Sequence, residues 1–273
     1  MAECTLLFVG TATTVLRLGP FTLLTDPNFL RRGQRAYLGK GLVSKRLTDP
    51  AVDPRDLPPL DAVVLSHLHG DHWDRVAHRH LDREVPILTT PQAAAALRGR
   101  RWQRRAVGLR PWQRRETTRA GYRLTLTALP GRHAPRLARP LVPPVMGSLL
   151  ELTRDDGSEP PQRIYLSGDT LNVPELQQIA DRCPPLDSAI VHLGGTTLPG
   201  GLLVTMDDRQ GADLMELLQP RQAVPVHYDD YSVFRSPLQA FLDTASRRGL
   251  RDRVTPVARG ETVTIGGVAA FAG

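Results

Sequence analysis

Cysteine, lysine and long apolar runs are all scarce in this chain. Its two cysteines, Cys4 and Cys183, are too few and too far apart for a disulfide framework. Neither has a second cysteine at zinc-site spacing, so both read as reduced thiols of a cytoplasmic protein. No apolar stretch approaches the roughly 20 residues of a membrane-spanning helix. The first five residues, Met1 to Thr5, have no basic segment leading into an apolar core, so no secretion signal is expected and the location is expected to be cytoplasmic.

Lysine occurs only at Lys40 and Lys45, so arginine carries almost all of the net charge of +7. The densest arginine cluster runs from Arg98 to Arg105 and again from Arg110 to Arg115, with Trp102 and Trp112 between. Basic residues interleaved with tryptophan admit two readings. They can hold phosphates and stack bases, or they can form a solvated rim with arginine stems lying over indole faces. The arginine bias along the whole chain favours the rim. With 273 residues, 41% of them hydrophobic, the chain can bury a large core, and a single α/β domain over 1–273 is expected.

What is present is a concentration of metal-binding side chains. Ser66-His67-Leu68-His69-Gly70-Asp71-His72 holds three of the eight histidines. The apolar run Ala62–Leu65 before it reads as a buried strand, and Trp73–Ala77 after it as the first turn of a helix. The cluster therefore sits on a strand-to-helix loop, where function concentrates on rigid scaffolds. There, His67 and His69 can aim two rings at one point, while Asp71 and His72 face a neighbouring one. Imidazole nitrogen and carboxylate oxygen suit zinc and other borderline divalent ions.

Three more candidates end apolar runs further along. His133 follows the alternating stretch Tyr122–Leu129. Asp169 ends Ile164-Tyr165-Leu166-Ser167-Gly168-Asp169, and His227 ends Ala223-Val224-Pro225-Val226-His227. The spacing His67, His69, Asp71, His72, followed in order by His133, Asp169 and His227, resembles the signature of the metallo-β-lactamase superfamily. Leu23–Pro27, Ser167–Thr170 and Pro225–Tyr228 are similar to the branch holding ascorbate-6-phosphate lactonase-like proteins and the phospholipase D acting on N-acyl-phosphatidylethanolamines. The resemblance implies a four-layer αββα sandwich. It also implies two divalent ions, zinc first, with manganese, iron or nickel admitted by the same donors. By the same resemblance, His67, His69 and His133 hold one ion, Asp71, His72 and His227 the other, and Asp169 bridges them. Asp71 would further steer the nucleophile or accept its proton.

The implied activity is hydrolysis of a phosphodiester, lactone or other ester, with a small molecule as the partner in the reaction. A nuclease or nucleic-acid binder on the same fold is the alternative, disfavoured because no appended nucleic-acid domain is visible. An iron redox role would need a flavin or redox partner that nothing in the chain supplies. Oligomeric state is not readable.

The remaining sequence is less specific. Thr5–Val9, Thr14–Leu18 and Phe21–Thr25 read as strands. Leu30–Pro59 has little periodicity and reads as a partly ordered flap over the site mouth. Pro91–Arg98, Pro174–Arg182, Met206–Leu218 and Leu238–Arg248 read as helices, the third capped by Thr205, and Glu261–Ala270 as a last strand. Ala134–Pro144 is either a pocket wall bringing Leu137, Leu141 and Val142, or a proline-stiffened connection. Asp26 either fixes the tautomer of a ligand imidazole or merely forms an Asp-Pro turn. His192 is either a substrate contact or a packed core histidine. Tyr228, Asp229, Asp230 and Tyr231 are placed in the pocket wall, while His78 and His80 stay outside the site.

Overall fold

The computed structural model describes residues 1–99, 105–198 and 200–267. Three short antiparallel strands open the chain, β1 (Cys4–Gly10), β2 (Thr13–Leu18) and β3 (Phe21–Thr25). A separate hairpin follows, β4 (Arg35–Gly39) and β5 (Leu42–Lys45). Then come β6 (Ala62–Val64), α1 (Arg75–His80), β7 (Ile87–Thr89), α2 (Pro91–Gly99) and β8 (Ala106–Gly108). Strands β3, β6, β7 and β8 run parallel. With β17 (Thr262–Thr264) pairing on β1, they complete a seven-stranded sheet.

The second sheet has six strands. Its antiparallel part is β9 (Arg114–Arg119), β10 (Tyr122–Leu129) and β11 (Gly147–Arg154). Next are β12 (Gln162–Leu166), α3 (Gln177–Arg182) and β13 (Ser188–His192). A small hairpin, β14 (Thr197–Leu198) and β15 (Leu202–Leu203), precedes α4 (Asp208–Leu218), β16 (Gln222–Val226) and α5 (Leu238–Arg247). Strands β12, β13 and β16 are parallel, as helical crossovers require.

The burial pattern explains the layering. Leu6, Leu16 and Leu23 of the first sheet pack with Leu124, Leu150 and Ile164 of the second in one continuous core. On the far face of the first sheet, Val15, Val63 and Leu65 meet Ala77, Ala94 and Leu97 of α1 and α2. On the far face of the second, Leu214 and Met215 of α4 pack with Phe241 of α5. Helix, sheet, sheet, helix is the four-layer sandwich expected, in one domain.

Several local expectations change. The segment Leu30–Pro59, expected as a partly ordered flap over the site mouth, is built around the β4–β5 hairpin, with Ala36, Ser44 and Arg46 buried. The cap of α4 is Asp207, whose carboxylate accepts the Gln210 N–H at 2.9 Å, rather than Thr205. The first turn of 174–182 is a 3-10 turn, and α3 proper is short. The last strand is limited to Thr262–Thr264 rather than reaching Ala270, and residues 268–270 lie outside those described. Of the arginine–tryptophan cluster, 100–104 also lie outside. Trp112 lies beneath the Arg182 guanidinium at 4.9 Å, and β9 is exposed throughout.

Candidate metal centre

Both sheets deliver their chemistry to one edge. In the first, the parallel strands β3 and β6 end beside each other, releasing Asp26 and the loop 66–72. In the second, β10, β12, β13 and β16 all point the same way, releasing His133, Asp169, His192 and His227. The carboxyl ends of parallel strands are where open α/β sheets collect ligands. All seven residues anticipated from the sequence meet there. His67, His69 and His133 form one group and Asp71, His72, Asp169 and His227 a second, with the donor atoms of each group within 4.8 Å of one another.

Backbone constraints hold this edge tightly. Asp26 and His227 adopt left-handed backbone angles, with φ of 36° and 63°. Such conformations cost about 1–3 kcal/mol for ordinary residues, so they persist only where the surroundings enforce them. Gly168, before Asp169, has φ of 60°, and a Cβ there would stand 2.9 Å from the Ser66 Cβ. Gly70 lies so close under β4 that its Cβ would meet the Tyr37 carbonyl oxygen at 2.6 Å.

Hydrogen bonds fix which ring nitrogens are free. The Nδ1 of His133 lies 2.7 Å from the Val204 carbonyl, and that of His227 lies 2.9 Å from the Leu193 carbonyl. A carbonyl only accepts, so both rings carry their proton on Nδ1 and present a bare lone pair at Nε2. Ser66 Oγ donates to Asp26 Oδ1 at 3.0 Å, which leaves it to accept from His67 Nδ1, also at 3.0 Å. His67 therefore presents a bare Nε2 as well. These lone pairs converge. His67 Nε2 and His133 Nε2 lie 3.0 and 3.2 Å from His69 Nδ1, which has at most one proton to share between them, and His227 Nε2 faces Asp71 Oδ2 at 3.5 Å.

Acceptors opposing acceptors inside a protein are costly unless a cation lies between them. The buried atoms Asp71 Oδ1, His72 Nε2, Asp169 Oδ1 and His227 Nε2 have no hydrogen-bond partner. The residues present thus fit divalent metal ions. Nitrogen and oxygen donors without thiolate are what zinc, manganese, iron and nickel accept.

The electrostatics divide the same way. Burial depresses the basicity of the His67 and His133 rings, and His69 is pushed down to about 3 by burial with His133 adding to it. Neutral imidazoles are the metal-binding form. In the second group, burial opposes ionisation of Asp169, but the His227 and His72 rings outweigh it and hold the carboxyl well below the usual range. Burial likewise disfavours protonated His72, yet Asp169, Asp26 and Asp71 raise its basicity well above normal. Three carboxylates around one ring make a strongly cation-attracting cage.

The structure decides the open readings. Asp26 is not merely a turn former: its Oδ2 lies 3.3 Å from His72 Nδ1 and 3.3 Å from His192 Nε2. His192 is a packed residue, its Nδ1 3.1 Å from Ser167 Oγ and its ring stacked on that of His72 with 6.1 Å between centroids. Tyr228–Tyr231 do not form the pocket wall. Tyr231 is buried, its hydroxyl donating to Asn28 at 3.0 Å, and Asp230 pairs with buried Arg46 at 3.1 Å. His78 and His80 lie on α1, outside both groups.

Four residues contribute in roles that the sequence did not indicate. Ser66 anchors Asp26, and Thr205 donates to Asp169 Oδ2 at 3.2 Å. Asn28 donates to the Gly70 carbonyl at 2.9 Å and accepts from Arg46, tying that arginine to the metal loop. The position of Ser66 at the head of the motif was a signal for it. Nothing local marked Arg46 or Asn28.

Above the two groups lies a cavity of about 80 Å³. Its roof is Leu38, Leu42 and Val43 of the β4–β5 hairpin, and its sides include Leu141, Val142 and Leu198. The stretch 134–144 is therefore a pocket wall, although the Leu137 side chain lies outside the described residues. No arginine or lysine lines the cavity among the described residues.

Residues 22–228 match the beta-lactamase superfamily domain. The chain belongs to that superfamily. It is 30% identical over 196 residues to a UPF0173 metal-dependent hydrolase of Deinococcus radiodurans, covering 71% of this chain and 76% of that one. Among solved structures it resembles a possible metal-dependent hydrolase from Veillonella parvula, with a TM-score of 0.81, 20% identity, and coverage of 96% and 100% of the two chains. It also resembles an isothiocyanate hydrolase from Delia radicum gut bacteria, with a TM-score of 0.79, 21% identity and the same coverage. These structural likenesses are ones of fold. The superfamily member described here is a metal-dependent hydrolase of the metallo-β-lactamase fold, and no helix in its described residues is long and apolar enough to cross a membrane.

Proposed function

We propose that this hydrolase uses two divalent ions, zinc in the first instance, to cleave a small uncharged ester or lactone. His67, His69 and His133 would hold one ion, Asp71, His72 and His227 the other, with Asp169 shared between them. The observation that carries the reading is the convergence of unpartnered lone pairs and carboxylate oxygens from both sheets on one buried edge. Ions held there would lower the pKa of water towards about 7 and so supply a nucleophile at neutral pH.

The chain's own groups do the rest. Asp71, at the pocket floor, accepts the proton released as water attacks. Asp26 and the Leu193 and Val204 carbonyls keep the rings in one tautomer and orientation. The roof of Leu38, Leu42 and Val43 excludes bulk water and favours an apolar substrate body. A phosphodiester carries a charge that enzymes commonly meet with arginine or lysine, and this wall offers neither. That favours the lactone and ester alternatives over the phosphodiesterase one.

The test is elemental analysis of purified protein together with a panel of p-nitrophenyl butyrate, γ- and δ-lactones and bis(p-nitrophenyl) phosphate. The reading requires turnover of the neutral substrates, abolished by chelation and restored by one ion. Turnover of the phosphodiester alone would overturn the substrate class, and protein that takes up no metal would overturn the site.

A further inference from the structure

Thr196 is the feature of this pocket that the metal-binding groups leave unexplained. It is 8% exposed, it lines the same cavity as His69, Asp71, His133 and Asp169, and its hydroxyl has no hydrogen-bond partner. The other unpartnered buried atoms lining that cavity belong to the candidate ligands His69, Asp71 and Asp169. Thr205 is also buried there, but its hydroxyl is committed to Asp169. A buried hydroxyl left without a partner costs free energy that a valine of the same shape would avoid. Retaining it is understandable if a partner arrives from outside.

The segment carrying Thr196 is fixed to both candidate metal groups. The Thr196 carbonyl accepts the Val204 N–H at 2.8 Å, and the Val204 carbonyl holds His133 Nδ1 at 2.7 Å. The next residue, Thr205, reaches Asp169. Thr196 is thereby held in register with the metal-facing floor and lines a space roofed by the aliphatic side chains Leu38, Leu42 and Val43.

We propose that Thr196 is a catalytic hydrogen-bond donor, its hydroxyl meeting the carbonyl oxygen of a neutral ester or lactone. The inference rests on the function proposed above. Water oxygen bonds to the carbonyl carbon as Asp71 takes its proton, and the C=O π pair moves onto oxygen. That oxygen, now negative, accepts the Thr196 O–H. When the pair returns, the bond from carbon to the alkoxide oxygen breaks, and the alkoxide recovers the proton, giving acid and alcohol. A donor aimed where charge develops acts mainly on the transition state. It also selects for a substrate whose reacting oxygen begins neutral in an apolar chamber.

The test compares wild-type, Thr196→Val and Thr196→Ser proteins, each loaded with the same metal, on p-nitrophenyl butyrate and δ-valerolactone. Metal content and melting temperature are measured alongside, and binding of a neutral boronic acid is followed by calorimetry. The expected result is a fall in kcat of about 100-fold for Thr196→Val, the lower end for an oxyanion donor. KM and metal content stay near wild type and the melting temperature does not fall, Thr196→Ser keeps activity within a few fold, and the valine variant binds the boronic acid more weakly. Wild-type rates and boronic-acid affinity in Thr196→Val would overturn the inference and leave the function standing. So would a valine defect confined to metal content, to KM or to melting temperature. Wild-type protein that hydrolyses neither neutral probe would overturn the function, and this inference with it.

Discussion

The Asp26 carboxylate stands 3.3 Å from Nδ1 of His72, on the edge of the ring opposite the one that faces Asp169. A residue from the end of β3 thus orients a ring on the loop after β6, and the contact spans two strands rather than one loop. Asp26→Asn keeps the shape but removes the charge. It should weaken metal binding at the second group by about 10–100-fold, the usual effect of losing such a support. Competitive metal titration checks this: binding as tight as wild type would mean that the ring needs no carboxylate behind it.

In the proposed site Asp169 is shared between the two ions, so its loss should be felt twice. Asp169→Ala is expected to lower bound metal below two equivalents and to reduce turnover by at least about 100-fold. Elemental analysis and initial rates on the same preparation decide it. Full metal with full rate removes Asp169 from the shared position.

Asp74 caps α1 and does more than cap. One carboxylate oxygen accepts the N–H groups of Val76 and Ala77, and the other those of Phe29 and Leu30, at 2.5–2.7 Å. Removing the acceptor strands four donors, two of them at the root of the hairpin segment. Asp74→Ala should cost about 2–4 kcal/mol of unfolding free energy, measurable by urea melts. A cost under about 0.5 kcal/mol would show that water replaces the carboxylate.

The buried Arg46–Asp230 pair sets a pH dependence. Burial opposes ionisation of Asp230, and the Arg46 guanidinium, together with the Thr48 and Thr11 hydrogen bonds and the Arg259 charge, more than compensates, so the folded carboxyl titrates below its ordinary value. A depressed carboxyl stabilises the fold fully above its unfolded pKa of about 3.9, and that stabilisation is lost as pH falls through the folded value. Stability should therefore drop below about pH 4, and Asp230→Asn should flatten that part of the curve while costing about 3–5 kcal/mol at neutral pH by leaving Arg46 uncompensated. Urea melts between pH 3 and 7 test both. A parallel offset at every pH would assign the acid sensitivity elsewhere.

Leu42 roofs the cavity and is not one of the candidate metal ligands. Leu42→Ala should admit bulkier acyl groups, shifting kcat/KM between short and long p-nitrophenyl esters by about 10-fold, in line with the 1–3 kcal/mol carried by small changes of pocket volume. Metal content should not change. An unchanged chain-length preference would remove the hairpin from substrate contact.

The metal-facing residues were legible because each announces itself locally. Four lie within six positions of one another, and His133, Asp169 and His227 each follow an apolar run that a sheet edge must terminate. The supports behind them were not. Thr205 reads as a helix cap because threonine before an acidic turn usually is one, but Asp207 takes that place and frees Thr205 for Asp169. Arg46 sits in a stretch with weak periodicity, and its partners Asn28, Thr11 and Asp230 come from three distant segments. The hairpin around it was hidden for the same reason: its strands pair with each other and not with either main sheet, so no long alternation marks them.

Because β4 and β5 belong to neither main sheet, the ceiling of the pocket and its floor are built from separable parts. The two are joined where the Gly70 N–H donates to the Tyr37 carbonyl, so drift is tolerated in the cavity-facing side chains of the ceiling rather than in its backbone. One scaffold can then be retuned toward new molecules by rewriting side chains such as Leu38, Leu42 and Val43, while the water-activating chemistry stays as it was.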